Sequence, residues 1–148
     1  MAVPERTARI ERIDRLRRAE VPAADQPAYQ AYMVLYVGFI ALPIIAGVDK
    51  FLHMLATWQE YLAPQITRLT GIDAHTFMMA VGGVEFLAGC LVAFKPKVGA
   101  LVVAAWLAGI IVNLVMLGKF YDVALRDFGL MLGALALSRL AATIEDRS

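Results

Sequence analysis

Residues Val98–Gly118 read VGALVVAAWLAGIIVNLVMLG, twenty-one positions without a charge, in which Asn113 is the one strongly polar side chain. A helix rises about 1.5 Å per residue, so this run extends about 30 Å, the thickness of the hydrocarbon layer of a bilayer. Two other runs resemble it. Ala31–Val48 (AYMVLYVGFIALPIIAGV) carries no charge, and Phe77–Phe94 (FMMAVGGVEFLAGCLVAF) carries one, Glu85. A fourth run, Phe128–Ser138, is apolar over only 11 residues, about 16 Å as a helix. To cross the layer it must begin near Phe120 and end near Ala142, which draws Asp122, Arg126 and Asp127 into or beside the membrane. Lipid offers no partners to open backbone groups, so the spans must be helical. The expected fold is all-α: an integral membrane four-helix bundle with an N-terminal amphipathic cytoplasmic helix.

Composition agrees. The chain has 148 residues, 60% hydrophobic and 18% charged, with mean hydropathy +0.65. Soluble domains average roughly 45–50% apolar residues. These values point away from a soluble enzyme, and the length suggests one domain. The chain divides into a basic cytoplasmic arm, residues 1–28, and a transmembrane domain, residues 29–144. Pro43 removes a backbone donor inside the first span and predicts a kink there. Lys95-Pro96-Lys97 makes a tight turn that forces spans two and three to be antiparallel neighbours. Leu55–Asp73, with Trp58, Tyr61, Pro64 and Gly71, is expected to lie along the interface, where aromatic residues collect.

Basic residues favour the cytoplasmic side. Arg6, Arg9, Arg12, Arg15, Arg17, Arg18, Lys95, Lys97, Arg139 and Arg147 fall on one side if both termini share it. Lys50, Arg68, Lys119 and Arg126 fall on the other, so ten stand against four and both ends read as cytoplasmic. The arm lacks the short basic start and early apolar run of a secretory signal. Glu5 to Glu20 reads as a helix with Ile10, Ile13 and Leu16 on one stripe. It either lies on the anionic inner leaflet or docks on a partner subunit.

Helices in lipid approach through small residues. Gly129 and Gly133 form a GxxxG in span four. Ala104/Ala108 and Ala105/Gly109 repeat that spacing in span three, and Gly82, Gly83 and Gly89 thin span two. Packing within one four-helix bundle or a contact with another protein both fit.

Ionisable side chains inside a membrane are costly and suggest function. Glu85 lies halfway along span two. Arg126 and Asp127 enter span four by some seven residues, about 10 Å. Asp49 and Lys50 close span one, and Asn113 sits in the outer half of span three. All fall between the midplane and the outer face. Asp122 and Arg126 have the i,i+4 spacing of a helical ion pair, and Lys50 suits Glu85 or Asp127. The cluster reads either as an ion-pair network fixing helix register or as a ligand, quinone head-group or proton site.

Other chemistry has no motif. Cys90 is a lone cysteine, so a dithiol enzyme is not expected. His53 and His75 read as interfacial histidines, and no metal or cofactor is expected. No GxGxxG, P-loop or HExxH occurs. Tyr29, Tyr32, Tyr36, Trp58, Tyr61 and Tyr121 fit interface belts, Trp106 reads as packing, and nothing points to nucleic acid.

The pattern resembles the DoxX-like family of small bacterial four-helix membrane proteins. AGVDKF (Ala46–Phe51) is similar to the Gly-x-x-Lys closing that family's first helix, and VEFLAGCLVAF (Val84–Phe94) resembles its second. KPKVGA follows in order, and RDFGLMLGALALSRL (Arg126–Leu140) resembles the closing helix; the match covers roughly residues 30 to 142. The long arginine-rich arm departs from the family, as does the lack of an arginine early in the first helix. The resemblance implies a bacterial inner-membrane accessory subunit of a redox or electron-transfer complex, without its own cofactor, and singles out Lys50, Glu85 and Asp127. The alternative is a quinone- or small-solute-binding membrane protein, by itself or as part of a quinone-reducing enzyme; a proton-coupled transporter would have to oligomerise. Expected partners are membrane lipid, other membrane subunits or further copies of the chain and, on the alternative reading, a quinone.

Overall fold

The computed structural model describes residues 3–20 and 26–145, with side chains from residue 6 to 16 and from 26 onward. The side chains of Arg17 and Arg18 and the whole of Arg147 lie outside the described residues. The fold is all-helical, with no strand among those residues. Helix α1 spans Val3–Glu20, α2 Pro27–Leu52, α3 Pro64–Thr70, α4 Ala74–Phe94, α5 Pro96–Leu117 and α6 Tyr121–Glu145. A 3-10 turn, Trp58–Tyr61, precedes α3. Four of these helices (α2, α4, α5 and α6) are long and apolar enough to cross a membrane. The fourth reaches from Tyr121 to Glu145, so Asp122, Arg126 and Asp127 do fall within its helix.

Local signals explain the boundaries. Pro27, Pro64 and Pro96 each stand at the start of a helix, where a missing N–H costs nothing. The Asp73 side chain caps α4 by accepting from the Thr76 backbone N–H at 3.0 Å. Gly118 ends α5 in the left-handed region at φ 73°, which suits a residue without Cβ. Pro43 does not break α2, which runs through it as one helix. In α1, Ile10, Ile13 and Leu16 all remain exposed.

Each spanning helix runs antiparallel to its sequence neighbour. The Tyr36 hydroxyl donates to the Ala93 carbonyl at 2.7 Å, while Lys50, farther along α2, meets Glu85, which lies earlier on α4. That register lays α2 antiparallel along α4. The Ser138 hydroxyl donates to the Lys97 carbonyl at 3.0 Å and ties the end of α6 to the start of α5. The largest contacts are α5 on α6 and α2 on α4. A Cβ added to Gly47 would stand 2.6 Å from the Gly82 carbonyl oxygen, so those two backbones touch. Near the Lys95 turn, a Cβ on Gly99 would stand 2.5 Å from Val92 Cα, closing α4 on α5 there. Val92, Leu137 and Leu114 are the largest fully buried side chains. Gly133 receives the Phe39 ring of α2, and Gly129 faces open space.

Candidate functional site: an ion pair on the wall of a cleft

The close seam between α2 and α4 has a consequence for charge. Lys50 lies one turn beyond Gly47, and Glu85 one turn from Gly82. With no side chain between the backbones, Lys50 Nζ reaches Glu85 Oε2 at 2.6 Å. Both side chains are more than nine-tenths buried, at 4% and 9% exposure. Removing either partner of such a pair leaves a buried charge uncompensated. The other carboxylate oxygen, Glu85 Oε1, lies 3.5 Å from the Trp106 indole nitrogen on α5, a long and weak contact.

Asp49, the residue before Lys50, is also buried but does not join the ion pair. Its carboxylate turns to the loop after α2 and accepts from the backbone N–H groups of Met54 and Leu55, each at 3.0 Å. It also accepts from the Trp58 indole N–H at 2.7 Å. The Trp58 ring in turn lies under Lys50 Nζ, 3.8 Å from ring centroid to ammonium. Adjacent residues therefore hold one tryptophan from two sides, by its N–H and by its π face.

Asn113 on α5 fastens the next part of the loop. Its amide nitrogen donates to the Tyr61 carbonyl at 2.6 Å, and its oxygen accepts from the Ala63 N–H at 2.9 Å. The loop is thus tied to α2 through Asp49 and to α5 through Asn113. Beneath it lies an open-sided cleft of about 630 Å³, walled by α2, α4, α5 and α6. Lys50, Glu85, Trp58, Trp106, Asn113 and Asp127 all line it, and most of the rest of the wall is apolar.

Of the six residues singled out in the sequence, all but Asp49 reach this cleft. Asp127 is partly buried in the wall, within the electrostatic reach of Glu85, Arg126 and Lys50. It has no ion-pair partner among the described residues. Arg126 stands at the edge and is engaged by Asp122 at 2.8 Å, with both side chains 72% exposed. This i,i+4 pair is a surface feature, apart from the buried pair. Trp58 and Trp106 carry no periodic signal that marks them as site residues, yet both line the cleft. Trp58 is held by Asp49 and Lys50, and Trp106 faces Glu85 as well as packing.

Among the described residues, no group of three or more His, Cys, Asp and Glu side chains gathers around a common point. Comparisons with protein-family models, curated proteins and solved structures return no match.

Proposed function

We propose that this chain is a multi-pass protein of the bacterial cytoplasmic membrane, both termini cytoplasmic, whose four spanning helices form a bundle around a binding site for a small amphiphilic molecule. A quinone is the ligand class that suits it best. The observation that carries this reading is the cleft itself. Its volume falls in the range of about 300–1,000 Å³ usual for ligand sites, and its apolar walls end at buried polar groups. A quinone ring has two carbonyl acceptors and, when reduced, two hydroxyl donors. Asp127 is the wall's carboxyl group without an ion-pair partner, and the Lys50–Glu85 pair supplies a donor and an acceptor nearby. The aromatic faces of Trp58 and Trp106 suit stacking on such a ring.

The accessory-subunit reading draws on a different observation, the exposed stripe of Ile10, Ile13 and Leu16 on α1. That stripe offers a surface to the inner leaflet or to a partner subunit. The two readings are compatible, since a quinone-binding protein can serve a larger redox complex.

The chain's two tryptophans both line the cleft. Intrinsic fluorescence therefore reports its occupancy directly. In nanodiscs, a short-tailed benzoquinone should quench that emission saturably, and Asp127→Asn and Glu85→Gln should each weaken the apparent affinity. Quenching that rises linearly with quinone and is identical in all three proteins would remove the ligand-site reading.

A further inference from the structure

The chain has two histidines, His53 and His75, twenty-two residues apart. The fold brings them together at the loop end of the molecule. Their rings lie nearly parallel, with centroids 5.7 Å apart and an interplanar angle of 14°. His53 Nε2 lies 3.3 Å from the Gln59 side-chain nitrogen, and His75 Nδ1 lies 3.1 Å from that same atom. Each imidazole thus brings one ring nitrogen to the Gln59 side-chain amide. Two ring nitrogens, from the end of α2 and the first turn of α4, therefore lie within 3.3 Å of one side-chain atom of Gln59.

The backbone supports this placement. His53 closes α2 in the left-handed region at φ 55°, a position ordinarily filled by glycine or asparagine. A residue with a full side chain is held there against its conformational preference. Gln59 sits in the Trp58–Tyr61 turn, which Asp49 anchors through the Trp58 indole. The three side chains thus come from three elements fixed to one another, and both histidines are exposed to an arriving ion.

We propose that His53 and His75 form a binding site for a late first-row divalent cation, zinc or copper, with Gln59 as the third group. Imidazole nitrogen is a favoured ligand for both metals. The ion takes the place now held by the Gln59 nitrogen. The Gln59 amide turns its carbonyl oxygen inward, and water completes the shell. Zinc–nitrogen bonds are about 2.0–2.1 Å, so the two rings close by a small side-chain rotation. Bound there, the ion bridges the C-terminal end of α2 to the start of α4, on either side of the turn that carries Trp58. This site is separate from the cleft and does not depend on a quinone binding there.

The test uses the untagged full chain in nanodiscs. Zn²⁺ is titrated against a competing chromophoric chelator, and Cu²⁺ is followed by electron paramagnetic resonance. One equivalent per chain should bind, with nitrogen hyperfine coupling in the copper spectrum. His53→Asn, which keeps a residue tolerant of the left-handed region, and His75→Ala should each cut zinc affinity more than about ten-fold. Gln59→Glu converts the neutral third group to an anionic ligand and should tighten zinc by a similar factor. Affinity should fall in acid, because the ligand nitrogens must be unprotonated. Failure to bind one equivalent, or binding that persists unchanged in the His53→Asn/His75→Ala double variant, overturns the proposal. So does a Gln59→Glu variant that binds zinc no better than wild type.

Discussion

The two sides of α4 are built from opposite materials. Towards α2 it presents Gly82 and Gly89, and the neighbouring backbone fills the space: a Cβ on Gly89 would stand 2.6 Å from an Ile44 side-chain carbon. Towards α5 it touches closely near the Lys95 turn, at Val92 and Gly99, and farther along faces the indole of Trp106. The first side is a seam, the second a cleft. Glu85 belongs to both, since its Cβ packs 3.4 Å from where Gly47 would carry one while its carboxylate lines the cleft. Small residues without room for a ligand bring the charges together, and bulky aromatics across from them keep a space open. In lipid, where apolar contact between helices has no hydrophobic drive, that division of labour sets which helices close and which stand apart.

The comparison breaks most severely at the ion pair. Lys50→Met leaves Glu85 buried without its partner and should cost roughly 3–5 kcal/mol. Thermal melting in detergent should show a large drop. A Lys50→Met/Glu85→Leu double variant should recover much of that loss, because no orphan charge remains. Equal instability of the single and double variants would mean that packing, rather than charge pairing, holds this part of the seam.

Next in size is the seam's backbone contact. Gly82→Ala places a methyl 2.8 Å from the Gly47 carbonyl oxygen and should destabilise by about 1–3 kcal/mol through overpacking. Gly129→Ala is the matched control. Its Cβ meets nothing within 4 Å, and alanine is the better helix former by about 0.5–1 kcal/mol. The two substitutions should therefore shift the melting temperature in opposite directions.

Those two glycines also show what was legible in the sequence. The long apolar runs announced the helices, because hydropathy over some twenty residues is set by the solvent and needs no knowledge of neighbours. Lys50 and Glu85 could be matched because they are opposite charges that both fall between the midplane and the outer face. Gly129 and Gly133 drew attention through their spacing, yet Gly47, a single glycine with no motif, makes the tighter contact. Asp49 looked like a member of the charge cluster, but backbone N–H groups satisfy it, and those partners leave no trace in residue type. The meeting of His53 with His75 and the capture of Trp58 depend on how an irregular loop folds back, and no periodicity encodes that path.

On the cleft side, Asn113→Leu tests whether the loop is fastened or merely resting. The substitution strands the Ala63 N–H and the Tyr61 carbonyl, and Ala63 is fully buried at 0% exposure. An unsatisfied buried group costs about 1–3 kcal/mol. Hydrogen exchange should quicken across residues 58–63 while the α2–α4 seam stays protected. Uniform loss of protection in both regions would show that loop and seam unfold as one unit.

The smallest effect should come from Asp73, which caps α4 where the helix emerges from the loop. The Thr76 side chain, with its backbone N–H second, holds the Asp73 carboxyl below the ordinary carboxylate range. A depressed pKa in the folded state means that the carboxylate stabilises α4 above its unfolded-state value, and that this contribution is lost as pH falls through the folded one. Asp73→Ala should therefore melt slightly earlier than wild type at neutral pH, and the gap between the two should close in acid. Asp73→Asn, which can still accept from Thr76 but carries no charge, should fall between them at neutral pH and lose the dependence on acid. The cap lies outside both the seam and the cleft, so none of these changes should alter quinone quenching of Trp58 and Trp106; a parallel loss of quenching would show that the start of α4 sets the geometry of the cleft.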